Sequence, residues 1–193
     1  MLEQTLEFLV RAVLDFFAAA FLIRFLLQAV RAPARSALSH FIFAITDFAV
    51  RPARRIVPGW RGHDLSTLVL AWLAASLTWA AVLALRGYPL AAAPLEAAGA
   101  LALLGLVGVV KLALYVLLFS VLLHAVLSWV SPHNPAAPLL AALTRPFLAP
   151  LRRRLPTVGG VDISPLLVIL ACQLLVTVFV PPLERAAIAL LGT

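Results

Sequence analysis

Arg51-Pro-Ala-Arg-Arg-Ile-Val-Pro-Gly-Trp-Arg-Gly-His-Asp-Leu-Ser66 returns 98 residues later as Ala149-Pro-Leu-Arg-Arg-Arg-Leu-Pro-Thr-Val-Gly-Gly-Val-Asp-Ile-Ser164. The two stretches align without a gap and share Pro52/Pro150, Arg54/Arg152, Arg55/Arg153, Pro58/Pro156, Gly62/Gly160, Asp64/Asp162 and Ser66/Ser164. Self-similarity at a fixed offset marks a tandem duplication of one supersecondary unit. The repeated element is a basic turn, punctuated by Pro and Gly, that opens onto an apolar run. It divides the chain into residues 1–97 and 98–193.

Composition says what surrounds those runs. Hydrophobic residues make up 64% of the chain and charged residues 12%, with a mean hydropathy of +1.07. Soluble domains carry about 25% charged residues. Runs of about 20 apolar residues read as membrane-spanning helices. Residues 65–85 and 163–183 hold no charge before Glu184 and are the clearest spans. Residues 5–30 hold Glu7, Arg11, Asp15 and Arg24 in an otherwise apolar background. Residues 97–130 are interrupted by charge only at Lys111 and His124, and as one helix would be about 50 Å long against a hydrocarbon core of about 30 Å. At an offset of 100, Arg11 falls on Lys111 and Arg24 on His124, which places the third span near 108–130. Gly105 and Gly108 then mark a bend after an apolar lead-in. The acidic flank of the first span (Glu3, Glu7) is unlike a cleaved leader, so it reads as a retained helix.

The expected architecture is an all-α membrane protein of four transmembrane helices, arranged as two tandem hairpins about a pseudo-twofold axis. Each hairpin carries an amphipathic interfacial helix on the cytoplasmic side, at about 36–52 and 136–153. In the first, Leu38, Phe41, Ile42, Ile45, Phe48 and Ala49 follow helical spacing opposite His40, Asp47, Arg51 and Arg54. Such a segment lies in the interface plane, and a re-entrant hairpin is the alternative. Pro146 and Pro150 each remove a backbone donor, so the second of these helices is expected to bend or break.

Charge placement argues for a membrane rather than nucleic acid, despite the net charge of +7. Ten of the fifteen Lys and Arg residues lie in two segments: Arg31, Arg35, Arg51, Arg54, Arg55 and Arg61, then Arg145, Arg152, Arg153 and Arg154. Short Lys/Arg-rich loops stay in the cytoplasm, which puts both termini outside it, and such clusters also rest on anionic headgroups. Asp64 and Asp162 precede the second span of each copy, where a carboxylate suits the helix dipole. Ser164-Pro165 fits an N-cap serine followed by proline at the first helical position. An Asp–Arg cluster would tie each turn to the start of its span.

Ionisable groups inside spans are functional candidates by default. Arg24 can snorkel, as can other long cations near helix ends. Asp15 sits one turn from Arg11, and a local ion pair would lower its burial cost. The four histidines (His40, His63, His124, His133) are scattered, so a bis-His haem site lacks its second ligand. The single cysteine, Cys172, excludes an intrachain disulfide and reads as a small buried hydrophobe. No residue pattern suggests catalysis, a metal site or a bound cofactor.

His124-Ala-Val-Leu-Ser-Trp129, Asn134-Pro135, Thr144-Arg-Pro146, Pro150-Leu-Arg-Arg153, Pro156 and Gly159-Gly160-Val-Asp162-Ile-Ser164-Pro165 resemble the YggT family of small bacterial membrane proteins, also present in plastids. The resemblance covers nearly the whole chain, because members commonly carry two modules. The first copy is degenerate: Ala34 or Ser36 stand for Asn-Pro, Phe48 for Pro146, Arg61 for Gly159 and Thr67 for Pro165. His124 stands where the family usually has Arg, as Arg24 does in the first copy. The resemblance implies a non-enzymatic factor of the bacterial inner membrane, linked to osmotic-stress tolerance. Plastid relatives are linked to cytochrome cofactor assembly and to organelle or nucleoid partition.

Two functions of different class remain open. One is a scaffold or assembly factor whose basic cytoplasmic face docks membrane-protein partners and anionic lipid. The other is a small transporter or channel in which parallel repeats surround a polar path. With so few polar residues in the spans, that path would be thin unless the protein forms a homo-oligomer.

Overall fold

The computed structural model describes residues 1–31, 36–59, 64–131, 134–154 and 162–191. Every regular element among them is helical. In chain order these are α1 (Leu2–Ala29), α2 (Ala37–Ile56), α3 (Leu65–Leu85), α4 (Pro94–Val130), α5 (Ala137–Arg152), α6 (Ser164–Leu174) and α7 (Val180–Ala189). One π-helical turn, Leu175–Phe179, joins α6 to α7. Its wider winding falls just before Pro181-Pro182, which withdraw two successive backbone donors. The result is one apolar helix over Ser164–Ala189, longer than the expected span of 163–183.

Among the described residues, three helices are long and apolar enough to cross a membrane: α3, α4 and the continuous α6–α7. The expected span over 5–30 is present as α1, which carries Glu3, Glu7, Arg11, Asp15 and Arg24 and is not one of those three. Large side chains such as Leu73, Leu77, Leu106, Phe119 and Leu123 face outward along these helices.

Two expectations are narrowed. No break falls at Gly105 or Gly108: α4 stays helical through both for 37 residues, about 55 Å along the helix. The glycines serve packing instead. A Cβ on Gly105 would lie 1.9 Å from Ser76 Oγ and 3.1 Å from the Ser76 backbone nitrogen, and one on Gly108 would lie 3.2 Å from Ala75 Cβ. Trp72 Nε1 donates to the Ala102 carbonyl across the same contact at 2.9 Å. α3 crosses α4 where α4 has no side chain to obstruct it. The second concerns α5, expected to bend or break at Pro146 and Pro150: it stays helical through both, so the break does not occur. Both rings are exposed, so the missing backbone bonds fall on the outward side of the helix.

Packing reproduces the duplication. One core joins Phe21, Val50 and Ala71, with Leu70 packed against it; the other joins Val121, Leu148, Val168 and Cys172. Phe21 and Val121 are 100 residues apart, while Val50/Leu148 and Leu70/Val168 are 98 apart. α1 lies along α3, α4 lies along α6 and α7, and α3 packs on α4 to unite the copies. At one end Leu27 of α1 meets Leu139 and Leu143 of α5. At the other, Leu83, Leu104 and Ala187 bring together α3, the lead-in of α4 and α7.

In α2 the buried stripe is Ser39, Ile42, Thr46 and Val50, whereas Leu38, Phe41 and Phe48 are exposed. Ser36 caps this helix, accepting from the Ser39 N–H at 3.1 Å. Asn134, which is 98 residues further on, accepts the Ala136 N–H at 2.9 Å ahead of α5. Equivalent positions thus satisfy a helix-start amide in both copies, three residues on from Ser36 and two residues on from Asn134.

The Gly105 contact makes a sharp prediction. Gly105→Leu should lower the melting temperature of the detergent-purified protein clearly, and Gly105→Ala less, since overpacking costs about 1–3 kcal/mol. Ser76→Gly should recover part of the Gly105→Ala loss. Equal melting of Gly105→Leu and the parent would show that the close crossing is not needed.

Candidate functional site

The repeated turns close into matching clamps. In the first copy, Arg54 donates from Nε and Nη2 to Asp64 Oδ2 at 2.7 and 2.6 Å. Asp64 Oδ1 accepts from the Ser66 hydroxyl, and the Asp64 carbonyl accepts from Thr67 Oγ1 at 2.7 Å at the start of α3. In the second copy, Arg152 Nε donates to Asp162 Oδ2 at 2.6 Å, and Asp162 Oδ1 accepts the Ser164 backbone N–H at 2.9 Å. Ile163 is the N-cap of α6, Ser164 the first helical residue and Pro165 the second, so Ser164 is not the expected cap; Asp162, one residue before the cap, accepts the Ser164 N–H instead. Burial pushes the Asp64 carboxyl up, but Ser66 and Arg54 more than offset it, and it ends below the usual carboxylate range. Asp162 follows the same pattern, with burial opposed by the Ser164 N–H and Arg152.

The second arginine of each pair behaves differently. Arg55 and Arg153 are exposed and have no hydrogen-bond or ion-pair partner among the described residues, as is also true of Arg154. Pro156, Gly159 and Gly160 lie outside the described residues.

Above the first clamp, Arg24 is 4% exposed, although it is a cation. Its Nη1 donates to Thr46 Oγ1 at 2.7 Å and Asp47 Oδ1 at 2.8 Å, and its guanidinium stands 4.9 Å from the Phe43 ring centre. Arg51 also pairs with Asp47 at 2.8 Å. Hydrogen bonds from Arg24 and then Arg51 hold the Asp47 carboxyl below its ordinary value. The buried cation is thus neutralised within the bundle rather than extended to the surface. Ninety-eight residues on, Thr46 becomes Thr144, again buried and bonded to its own helix, through the Leu140 carbonyl at 2.8 Å. Asp47 becomes Arg145, and Arg24 becomes the half-buried His124. Neither Arg145 nor His124 has a hydrogen-bond or ion-pair partner among the described residues.

Towards the other end, α1, α3, α4 and α7 enclose a polar chamber of about 90 Å³. Arg11, Asp15, Thr78, Lys111, Tyr115 and Glu184 line it. A cavity this large with several polar partners has room for water. Arg11 pairs with Glu7 at 3.1 Å, not with Asp15 as its spacing suggested, because Glu7 is one turn the other way and is itself held by Arg86 at 2.7 Å. Lys111 pairs with Glu184 at 2.9 Å. Asp15 has no hydrogen-bond or ion-pair partner among the described residues. The sequence alone marks Glu7, Asp47, Arg145 and Glu184 only as flanking, helix-face or cluster charges, and it does not assign Thr46 or Arg86 to a site. The shared Thr46/Thr144 at the repeat offset was the available signal for part of this group.

The clamps should be visible in acid. Because both aspartates have lowered folded-state pKa values, their stabilisation is fully present above the unfolded value of about 3.9 and is lost as pH falls through the lower folded values. A melting series from neutral to strongly acidic pH should decline below about pH 4, and Asp64→Asn should flatten that decline. A double-mutant cycle of Arg54→Gln with Asp64→Asn should give a coupling of about 1 kcal/mol, as for partly exposed pairs. A coupling of zero would remove the clamp from the fold's energetics.

Comparison with known proteins places this geometry. The family model CCB3/YggT matches residues 3–85 and again 103–183, leaving out most of the apolar lead-in of α4. A Pseudomonas aeruginosa protein described as uncharacterized is 37% identical over 156 residues, covering 80% of this chain and 77% of that one. A Vibrio alginolyticus protein, described by its position in the proC 3′ region, is 30% identical over 170 residues, with 88% and 90% covered. Escherichia coli YggT is 31% identical over 168 residues, with 86% and 84% covered. No solved structure matches. With two tandem matches and relatives aligned over most of both chains, the protein belongs to the CCB3/YggT family.

Proposed function

We propose that this protein is a non-enzymatic organising factor of the bacterial cytoplasmic membrane, with four spans, both termini outside, and a basic cytoplasmic face that docks membrane-protein partners. The observation that carries this reading is the division of labour in the duplicated Arg pair. Arg54 and Arg152 are engaged by the clamp aspartates, while Arg55 and Arg153, next to them in both copies, are exposed without a partner among the described residues. A helix-end brace needs one cation; the second is available to something outside the chain. The fourth span is α1, whose cost in the bilayer is lowered by the pairing of Arg24 with Asp47 and of Arg11 with Glu7. α2 and α5 then lie at headgroup level, with Phe41 and Phe48 of α2 turned towards lipid. The tie to osmotic stress comes from family resemblance.

Arg55→Gln with Arg153→Gln should leave membrane insertion intact and reduce crosslinking to neighbouring proteins in native membranes several-fold. The same variant should fail to restore growth after osmotic upshift in a strain lacking the protein. Undiminished crosslinking would remove the docking role.

The chamber between the copies favours a second reading, that of a small transporter or channel subunit. Its ionisable lining comes from both repeats, as a path between pseudo-symmetric halves requires. Flux of small ions into liposomes holding the purified protein, abolished by Asp15→Asn, would favour this reading over the first. Liposomes no more permeable than empty ones would dismiss it.

A further inference from the structure

The loss of the buried ion pair in the second copy leaves a cation free at the junction between the repeats. Arg145 stands where the first copy has Asp47, is exposed, and has no partner among the described residues. With Arg31 it lines an open groove of about 610 Å³ whose other walls include Val30, Ala141, Ala142 and Pro146. Arg31 is also without a described partner, and it is the one non-glycine residue with positive φ among the described residues, at 51°. It occupies the position just past the C-cap of α1, Val30, where glycine is the usual choice because it adopts this conformation without strain.

Val30 also borders a second cavity, an apolar slot of about 240 Å³ between α1, α4 and α5. Leu26, Val110, Leu114, Leu117 and Phe147 line it. Along α4 it reaches from Val110 to Ser120, about 15 Å of helix. No acidic residue lines either cavity. Two guanidiniums at the mouth and an apolar slot beside it match a molecule with an anionic head and a hydrocarbon tail. A guanidinium fork pairs with phosphate oxygens in bidentate geometry. We propose that Arg31 and Arg145 hold the phosphate of one anionic phospholipid, with an acyl chain in the slot between α1, α4 and α5. A free phosphate would leave the slot empty. The corresponding position in the first copy cannot act this way, because Asp47 would repel a phosphate and is already committed to Arg24 and Arg51. Each chain therefore has one such site, and it fastens the two repeats together where Leu27 meets Leu139 and Leu143.

This site rests on the reading that the Arg-rich end lies at headgroup level, and the test separates the two. The full chain, purified in mild detergent, is examined by native mass spectrometry with phosphatidylglycerol, phosphatidylcholine and inorganic phosphate as probes. One phosphatidylglycerol per chain should be retained, phosphatidylcholine should bind at least tenfold more weakly, and inorganic phosphate should not displace the lipid. Arg31→Gly with Arg145→Gln should weaken phosphatidylglycerol binding at least tenfold while the melting temperature holds, since glycine suits the left-handed position. Arg55→Gln with Arg154→Gln should keep the bound lipid while lowering adhesion to phosphatidylglycerol vesicles. Full retention by the Arg31/Arg145 variant, equal binding of both lipids, or displacement by phosphate alone would overturn the site. Vesicle adhesion that ignores lipid charge would instead overturn the basic-face reading and leave the one-to-one lipid standing.

Discussion

A charge inside an apolar helix bundle must find a partner, and that demand organises this protein. An unpaired buried ion costs several kcal/mol, whereas a paired one costs far less. Three of the cations among the described residues are matched across helices, and Arg11 is matched within α1 by Glu7. Arg24 of α1 reaches Asp47 of α2, Arg86 after α3 reaches Glu7 of α1, and Lys111 of α4 reaches Glu184 of α7. These links say which helices are neighbours in a chain whose apolar surfaces alone would accept many arrangements. Side-chain packing then sets the separations, most tightly where Ser76 occupies the space that a side chain on Gly105 would need.

Duplication supplied the frame and divergence the chemistry. At the repeat offsets Arg11 corresponds to Lys111, and Arg86 to Glu184. Both copies thus tie their first helix to the end of their second, with the charges reversed in the second copy. At the turns the copies agree: Arg54–Asp64 and Arg152–Asp162 are the same bridge made twice. Between these levels they part, since Arg24–Asp47 is a buried pair and His124 with Arg145 is none. The first copy spends its cation on internal stability, and the second leaves one at the surface.

Much of the arrangement was legible from residues alone because it follows from local periodicity and from matching two stretches of one chain. The helices, the duplicated turn and the Asp–Arg bridge ten residues apart all belong to that class. The misread features share a different cause. Gly105 and Gly108 suggest flexibility when α4 is read alone, yet their role is set by α3 approaching from another part of the chain. Pro146 and Pro150 suggest a break until both rings are found on the outward face. Arg11 had acidic residues one turn away on either side, and only the position of Arg86 shows why Glu7 holds it.

Composition and the repeat by themselves determined an apolar, all-helical, duplicated protein with its cations gathered in two turns, since hydropathy and self-similarity are properties of the chain at any conformation. Which charges pair across helices, where a polar chamber remains, and which arginines are left free were decided only by tertiary structure. Those outcomes depend on distances between residues tens of positions apart. The cost of leaving a charge unpartnered becomes definite only once the surrounding helices have excluded water.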